Sequence, residues 1–217
     1  MEIKNNLNKE EIAEYVASII NQKLKEGKKV LFFVCGGSSL ETEVLVSQKL
    51  ENFNEDNLTI TLSDERWGEV GHKDSNWEKL KNLGFNFENK KLIPFLIGKS
   101  VEETKSYLER ELRDAILKAD YKVAFMGMGS DGHTGGILPK SPAVFEDGLL
   151  CYYDGGVFER FTTTFKILEN LDEVFLYVFG SDKWAMVENL NKDINKEEMP
   201  AQILKKVKQL TVFTDYK

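Results

Sequence analysis

Val123–Pro139 reads VAFMGMGSDGHTGGILP. Its opening residues, with Val123, Phe125 and Met126, have the β-branched and aromatic composition of a buried strand. Gly127, Gly129 and Gly132 then break the run, with Asp131 and His133 among them, and Gly135, Gly136 and Pro139 follow. A buried strand ending in glycines leaves backbone amides where no Cβ blocks a ligand. Polar groups at the carboxyl end of such a strand lie where open α/β sheets bind ligands. Asp131 and His133 are near enough in sequence for a carboxylate and an imidazole to share one small loop. The plainer reading is a glycine turn with a surface histidine, so the rest of the chain has to decide.

The same pattern recurs upstream. Lys29–Cys35 (KVLFFVC) is an apolar run of strand length. Gly36-Gly37-Ser38-Ser39 follows, then a helical pattern through Leu40, Val44, Leu45 and Leu50. Strand, glycine-serine loop and helix together offer free amides, two hydroxyls and a favourable dipole to an anion. An ordinary turn with Ser38 as helix N-cap is the alternative. Leu58–Ser63 (LTITLS) alternates as a strand and runs into Asp64-Glu65-Arg66-Trp67, with Ser75-Asn76 beyond. Acid and base at a strand's end suit a small polar substrate, and Arg66 adds a fork for phosphate or carboxylate. Alternatively, Glu65 and Arg66 form a solvated pair of little energetic value. A metal site from Asp64, Glu65, His72 and Asp74 lacks recognised ligand spacing. His72 is expected in an exposed loop, and Asn76 is expected to cap the next helix.

Amphipathic helices separate the strands. Asn8–Lys25 places Ile12, Val16, Ile19, Ile20 and Leu24 on one face, with Asn8 and Glu11 set for a capping box. Ser100 and Glu103 make a second such box, opening a helix expected to bury Val101, Leu108, Leu112, Ala115 and Ile116. Further strands are expected at Lys91–Leu96 (an edge position, from Pro94), Leu149–Tyr153, Arg160–Phe165, Glu173–Phe179 and Lys208–Thr214. Strands alternating with helices predict an α/β fold with a parallel sheet and right-handed crossovers.

Composition narrows the function. Hydrophobic residues make up 41% of 217, enough for a sizeable core. A net charge of −7 argues against nonspecific binding to nucleic acid or anionic membrane, so an anionic substrate needs a local cluster of Arg and Lys. Cys35 and Cys151 are far apart, in no metal or redox spacing, which favours a reducing cytoplasm. The first residues show no signal-peptide core, and no run is long enough to span a bilayer. With no linker or repeat, residues 1–217 are expected to form one domain.

Several segments together resemble a family. GGSS, DERW with Ser75-Asn76, GMGSDGH with the downstream Pro139, Arg160-Phe-Thr-Thr-Thr164, Gly180-Ser-Asp-Lys183 and Met199-Pro200-Ala201 are similar, in that order, to the 6-phosphogluconolactonases of the glucosamine-6-phosphate deaminase-like superfamily. The resemblance implies a three-layer α/β/α fold with a Rossmann-like, mostly parallel sheet. It implies a cytoplasmic enzyme, monomeric or a small homo-oligomer, with no metal and no organic cofactor. The reaction implied is hydrolysis of 6-phospho-D-glucono-1,5-lactone in the oxidative pentose phosphate pathway. His133 would move the proton, with Asp131 or Asp64 orienting it or the water. Arg160, Lys183 and the Gly36, Gly37, Ser38 and Ser39 loop would hold the phosphate, and Arg66 the phosphate or the sugar acid. The alternatives are the sister glucosamine-6-phosphate deaminase and a noncatalytic sugar-phosphate-binding module. Leu138 stands where the deaminases carry an acid, and Arg66 where they carry Tyr, so both positions favour the lactonase. The chain departs from the lactonase pattern at Leu40 (usually Pro), Gly136 (usually Ser) and Leu138 (usually Phe).

Overall fold

The computed structural model describes residues 1–51 and 55–217. The chain runs through β1 (Glu2–Asn5), α1 (Lys9–Lys25), β2 (Val30–Val34), α2 (Leu40–Lys49), β3 (Leu58–Leu62) and β4 (Asp64–Arg66). It continues through α3 (Asn76–Asn82), β5 (Lys91–Ile93), α4 (Val101–Lys118) and β6 (Tyr121–Gly127). Then come α5 (Pro142–Phe145), β7 (Leu150–Asp154), β8 (Glu159–Thr163), α6 (Phe165–Leu168), β9 (Glu173–Val178), α7 (Trp184–Leu190) and β10 (Gln209–Thr214).

Seven strands form a parallel sheet in the order β1-β10-β9-β6-β2-β3-β5. Every residue of β2 and β9 is buried, so helices cover both faces, as an all-parallel sheet requires. This is the expected three-layer α/β/α fold. Phe32, Phe33, Phe125, Phe175 and Phe213 are fully buried in its core. From β2 the chain moves to one side through β3 and β5. It then crosses back, and β6 pairs on the other side of β2 before β9 and β10 extend that half. The reversal opens a crevice between the carboxyl ends of β2 and β6, where such sheets bind ligands.

Both capping boxes form. Asn8 accepts from the Glu11 amide while Glu11 accepts from that of Asn8, and Ser100 and Glu103 do the same. The strand at Lys91 lies at the sheet edge, as Pro94 predicts.

The structure adds features that the pattern did not carry. β1 pairs with β10 at the other edge. A second, antiparallel sheet, β4-β8-β7, sits apart from the main one. Two expectations are corrected. Ser75, not Asn76, caps α3: its hydroxyl accepts the Glu78 amide, and Asn76 turns its amide onto the carbonyl of Asp64. His72 is only half-exposed, because its Nε2 bonds the Arg66 carbonyl at 3.0 Å. The segment Pro200–Lys206 after Met199 forms a 3₁₀ helix, and near its start the Ala201 amide bonds Gly132 O.

Candidate active site

The crevice is a cleft of about 300 Å³, and both glycine loops reach it. Cys35, Gly36, Gly37 and Ser38 line it from the end of β2, and Gly127, Met128 and Gly129 from the end of β6. Asp64, Arg66 and Asn76 reach it after β3, Arg160 from β8 and Lys183 after β9. Residues scattered over the sequence converge because each follows or flanks the carboxyl end of a neighbouring strand.

The first loop is shaped by what lies behind it. A Cβ on Gly36 would fall 2.0 Å from the side-chain oxygen of Asn76, so only glycine fits. Gly37 opens a 3₁₀ turn, Gly37–Ser39, whose first amides have no partner within the turn. Ser38 is exposed at the loop's tip. Ser39 is not brought to the cleft. It is fully buried, and its hydroxyl donates to Glu43 at 2.6 Å.

The second loop folds back on itself. Gly129 donates to His133 O at 3.0 Å, Gly132 to Gly129 O at 3.0 Å, and the Thr134 hydroxyl to Gly127 O at 2.8 Å. His133 Nδ1 lies 2.6 Å from an Asp131 oxygen that also accepts the His133 amide at 3.1 Å. Burial pushes the Asp131 carboxyl up, but the His133 amide and imidazole outweigh it and hold the carboxyl below its ordinary value. An ionised Asp131 keeps the proton on Nδ1, which leaves Nε2 as the acceptor. Gly129 has to be glycine, since a Cβ there would meet the His133 ring at 2.2 Å. Asp131, rather than Asp64, is the carboxylate that contacts the imidazole.

Asp64 is buried at the opposite wall, beside Gly136. Its neighbour Glu65 faces away from the cleft and is no partner of the Arg66 guanidinium. It accepts the amides of Arg66, Asn76 and Trp77 and the Ser75 hydroxyl, at 2.6–3.0 Å. Burial raises its pKa against these four bonds. Glu65 thus anchors the start of α3 and fixes Asn76 behind Gly36.

The small sheet positions the cations. Thr162 and Tyr153 donate to the carbonyls of Gly135 and Gly136, which ties the histidine loop to β7 and β8. Arg66 bonds the Asp74 carbonyl at 2.9 Å and lies against the Phe158 ring, and Arg160 lies over the Tyr153 ring. Among the described residues, neither guanidinium has a carboxylate within ion-pair distance. Lys183 sits in the turn after β9, 3.2 Å from Asp182 and 3.1 Å from the Phe179 carbonyl. Also among the described residues, no three His, Cys, Asp or Glu side chains converge as metal ligands.

The profile of the glucosamine-6-phosphate isomerase and 6-phosphogluconolactonase family matches residues 5–213. The chain belongs to this family. A curated 6-phosphogluconolactonase from Neisseria meningitidis is similar, at 30% identity over 86% of this chain and 84% of that protein. Among solved structures, a 6-phosphogluconolactonase from Shewanella baltica superposes with a TM-score of 0.83, at 22% identity, over 99% of this chain and 97% of that one. A monomeric glucosamine-6-phosphate deaminase superposes with a TM-score of 0.74, at 19% identity, over 99% and 97%. The fold is common to both branches of the family, so the choice between them falls to the residues of the cleft.

Two residues behind the first loop escaped the sequence reading. Asn76 passed as a helix cap, although its side chain fills the space behind Gly36. Glu43 drew no notice in the sequence, although it is fully buried and bonded to both ends of the first loop. Its spacing of four from Ser39 was the available signal, since residues so spaced meet on a helix face.

Proposed function

We propose that this chain hydrolyses 6-phospho-D-glucono-1,5-lactone to 6-phosphogluconate, the lactone step of the oxidative pentose phosphate pathway in the cytoplasm. The observation that carries this reading is the joint placement of the Asp131–His133 pair and three cations around one cleft. A lactone is already activated, so the enzyme has only to position it, deliver water and return a proton. Arg66, Arg160 and Lys183, with the amides of Gly36, Gly37 and Ser38, hold the phosphate and fix the distant carbonyl carbon. His133 Nε2 takes a proton from water as the oxygen attacks that carbon. The carbonyl electrons move to the oxyanion, which the glycine-loop amides stabilise. The intermediate collapses, the bond to the ring oxygen breaks, and His133 returns the proton to that oxygen.

Support for this branch over the deaminase comes from position 138. Leu138 packs partly buried against the core, and its amide bonds the Tyr153 hydroxyl, so no acid stands there to move a proton. The test is hydrolysis of freshly made 6-phosphogluconolactone, corrected for spontaneous decay, beside ammonia release from glucosamine 6-phosphate. Lactone hydrolysis without ammonia is expected. Ammonia release with no lactone hydrolysis would overturn the reading, and phosphosugar binding with neither activity would leave a noncatalytic module.

A further inference from the structure

Glu43 takes no part in the mechanism above. It lies in the first turns of α2 at zero exposure, and among the described residues it has no ion-pair partner. Its Oε1 receives the Ser39 hydroxyl at 2.6 Å and lies 3.2 Å from the Cys35 thiol. Its Oε2 accepts the Cys35 amide at 2.9 Å. Cys35 and Ser39 are the two ends of the loop whose Gly36, Gly37 and Ser38 line the cleft. Two of those three residues have no side chain, and the third is exposed. One buried carboxyl therefore bridges both ends of a segment with few anchors of its own. Ser39, at the N-cap of α2, makes no capping bond, because its hydroxyl goes to Glu43 instead.

We propose that Glu43 is a positioning residue for the Gly36–Ser38 loop, and that its charge state sets how tightly the loop holds the substrate's phosphate. The inference rests on the reading of that loop as part of the phosphate site. A neutral Glu43 tethers the loop without opposing an anion. An ionised Glu43 keeps the tether but places an unpaired negative charge beneath the site, where the low dielectric screens it poorly.

The surroundings leave Glu43 as the group that switches. The Cys35 thiol faces it from the end of β2, and burial holds that thiol well above its ordinary value, so it stays neutral. Asp64 acts on it from β4. The inward residues of α1 and α3, among them Val16, Ile20, Asn76 and Leu80, carry no charge, and neither does Gly127 at the end of β6 or Met128 just beyond it. Burial pushes the Glu43 carboxyl up to about 7, against the Ser39 and Cys35 bonds, with Asp64 adding to the rise. Its ionisation thus falls in the range where a metabolic enzyme works.

The experiment measures the Kd of 6-phosphogluconate by calorimetry, and KM for the lactone, for wild type, Glu43→Gln and Ser39→Ala from about pH 5.5 to about pH 8.5. Taking the ratio of wild type to Glu43→Gln cancels the titration of the ligand's own phosphate. The ratio is expected near one at the acid end and to rise roughly threefold or more at the alkaline end. Ser39→Ala removes a bond that favours the ionised form, so its loss of affinity should begin at higher pH than in wild type. A ratio constant across the range, in a protein that binds and hydrolyses, would overturn this proposal alone. Failure of the wild type to bind 6-phosphogluconate at any pH would overturn the phosphate-loop reading and this proposal with it. If Glu43→Gln does not fold, Ser39→Ala decides: an unmoved pH profile overturns the proposal.

Discussion

Arg66 and Arg160 stand directly opposite one another in the antiparallel pairing of β4 with β8, and both side chains line the cleft. Like charges directly opposite on paired strands repel. Here no carboxylate among the described residues answers either guanidinium, and the Nε of each is buried without a partner. Such a pair is costly unless an anion answers it, so the register of this short antiparallel pair suits the phosphate site proposed above.

Arg160→Ala should raise KM for the lactone by roughly tenfold to a hundredfold, the worth of one charge-assisted hydrogen bond to phosphate. The fall in kcat should be smaller, arising only from looser positioning of the carbonyl carbon. Steady-state kinetics of the folded variant measure the split. An unchanged KM would remove Arg160 from the phosphate site.

His133→Ala should lower kcat by roughly a hundredfold or more with little change in KM, since it removes proton transfer and leaves the cations in place. Asp131→Asn should also lower kcat, because an amide no longer fixes the proton on Nδ1 through the 2.6 Å contact. The informative comparison is the double variant. If Asp131 acts only by orienting the ring, Asp131→Asn should cost nothing further once His133 is Ala. Additive losses would mean that Asp131 acts on the water itself.

Much of the main sheet was legible because its strands are short apolar runs bounded by glycine, and its long helices carry their own caps. The glycines after β2 and β6 were legible for the same reason. Of the small sheet, β7 and β8 were legible as strands, but neither β4 nor the antiparallel pairing was. Asp64–Arg66 is too short and polar to show a period of two, and it becomes a strand only when β8 supplies its partner. The same limit hid Glu43. The apolar spacing of Leu40, Val44, Leu45 and Leu50 suggested one buried face, yet α2 also buries Thr42, Glu43 and Ser47. Glu43 is held by Cys35 and Ser39 just before the helix and Ser47 by the Asn86 amide, contacts that apolar spacing does not encode. Ser39 was misdirected likewise: a hydroxyl beside a glycine loop points to an anion only if no buried acceptor captures it first.

Gly136→Ser tests a position where this chain departs from the serine usual among the resembling lactonases. Gly136 has φ +74°, and a Cβ there would lie 2.5 Å from the Asp64 Cβ and 2.8 Å from an Asp64 carboxylate oxygen. The left-handed backbone and the clash together should cost about 3 kcal/mol. Gly156→Ala is the control: its φ is +88°, but nothing lies within 4 Å, so only the backbone term applies, about 1 kcal/mol. Urea denaturation of both variants measures the difference. Equal losses would show that Asp64 yields its place without strain.

Glu43 should also write itself into the pH dependence of stability. Its pKa is about 7 in the folded chain against an ordinary 4.5. Between those values the unfolded chain has released the proton and the folded chain still holds it. The folded state then binds more protons, so stability falls as pH rises through this window. The contribution is fully present below the unfolded value and lost once pH passes the folded one. At about 1.4 kcal/mol per pH unit, the wild type should lose roughly 3 kcal/mol relative to a variant that cannot titrate at this position. Glu43→Gln is that variant, since a glutamine amide fills the same space without ionising. Subtracting the two urea-denaturation curves cancels every other carboxylate. The difference should grow in favour of Glu43→Gln up to about pH 7 and then level off. A difference that stays constant would mean that the Cys35 amide and Ser39 hydroxyl already hold Glu43 as a stable buried anion.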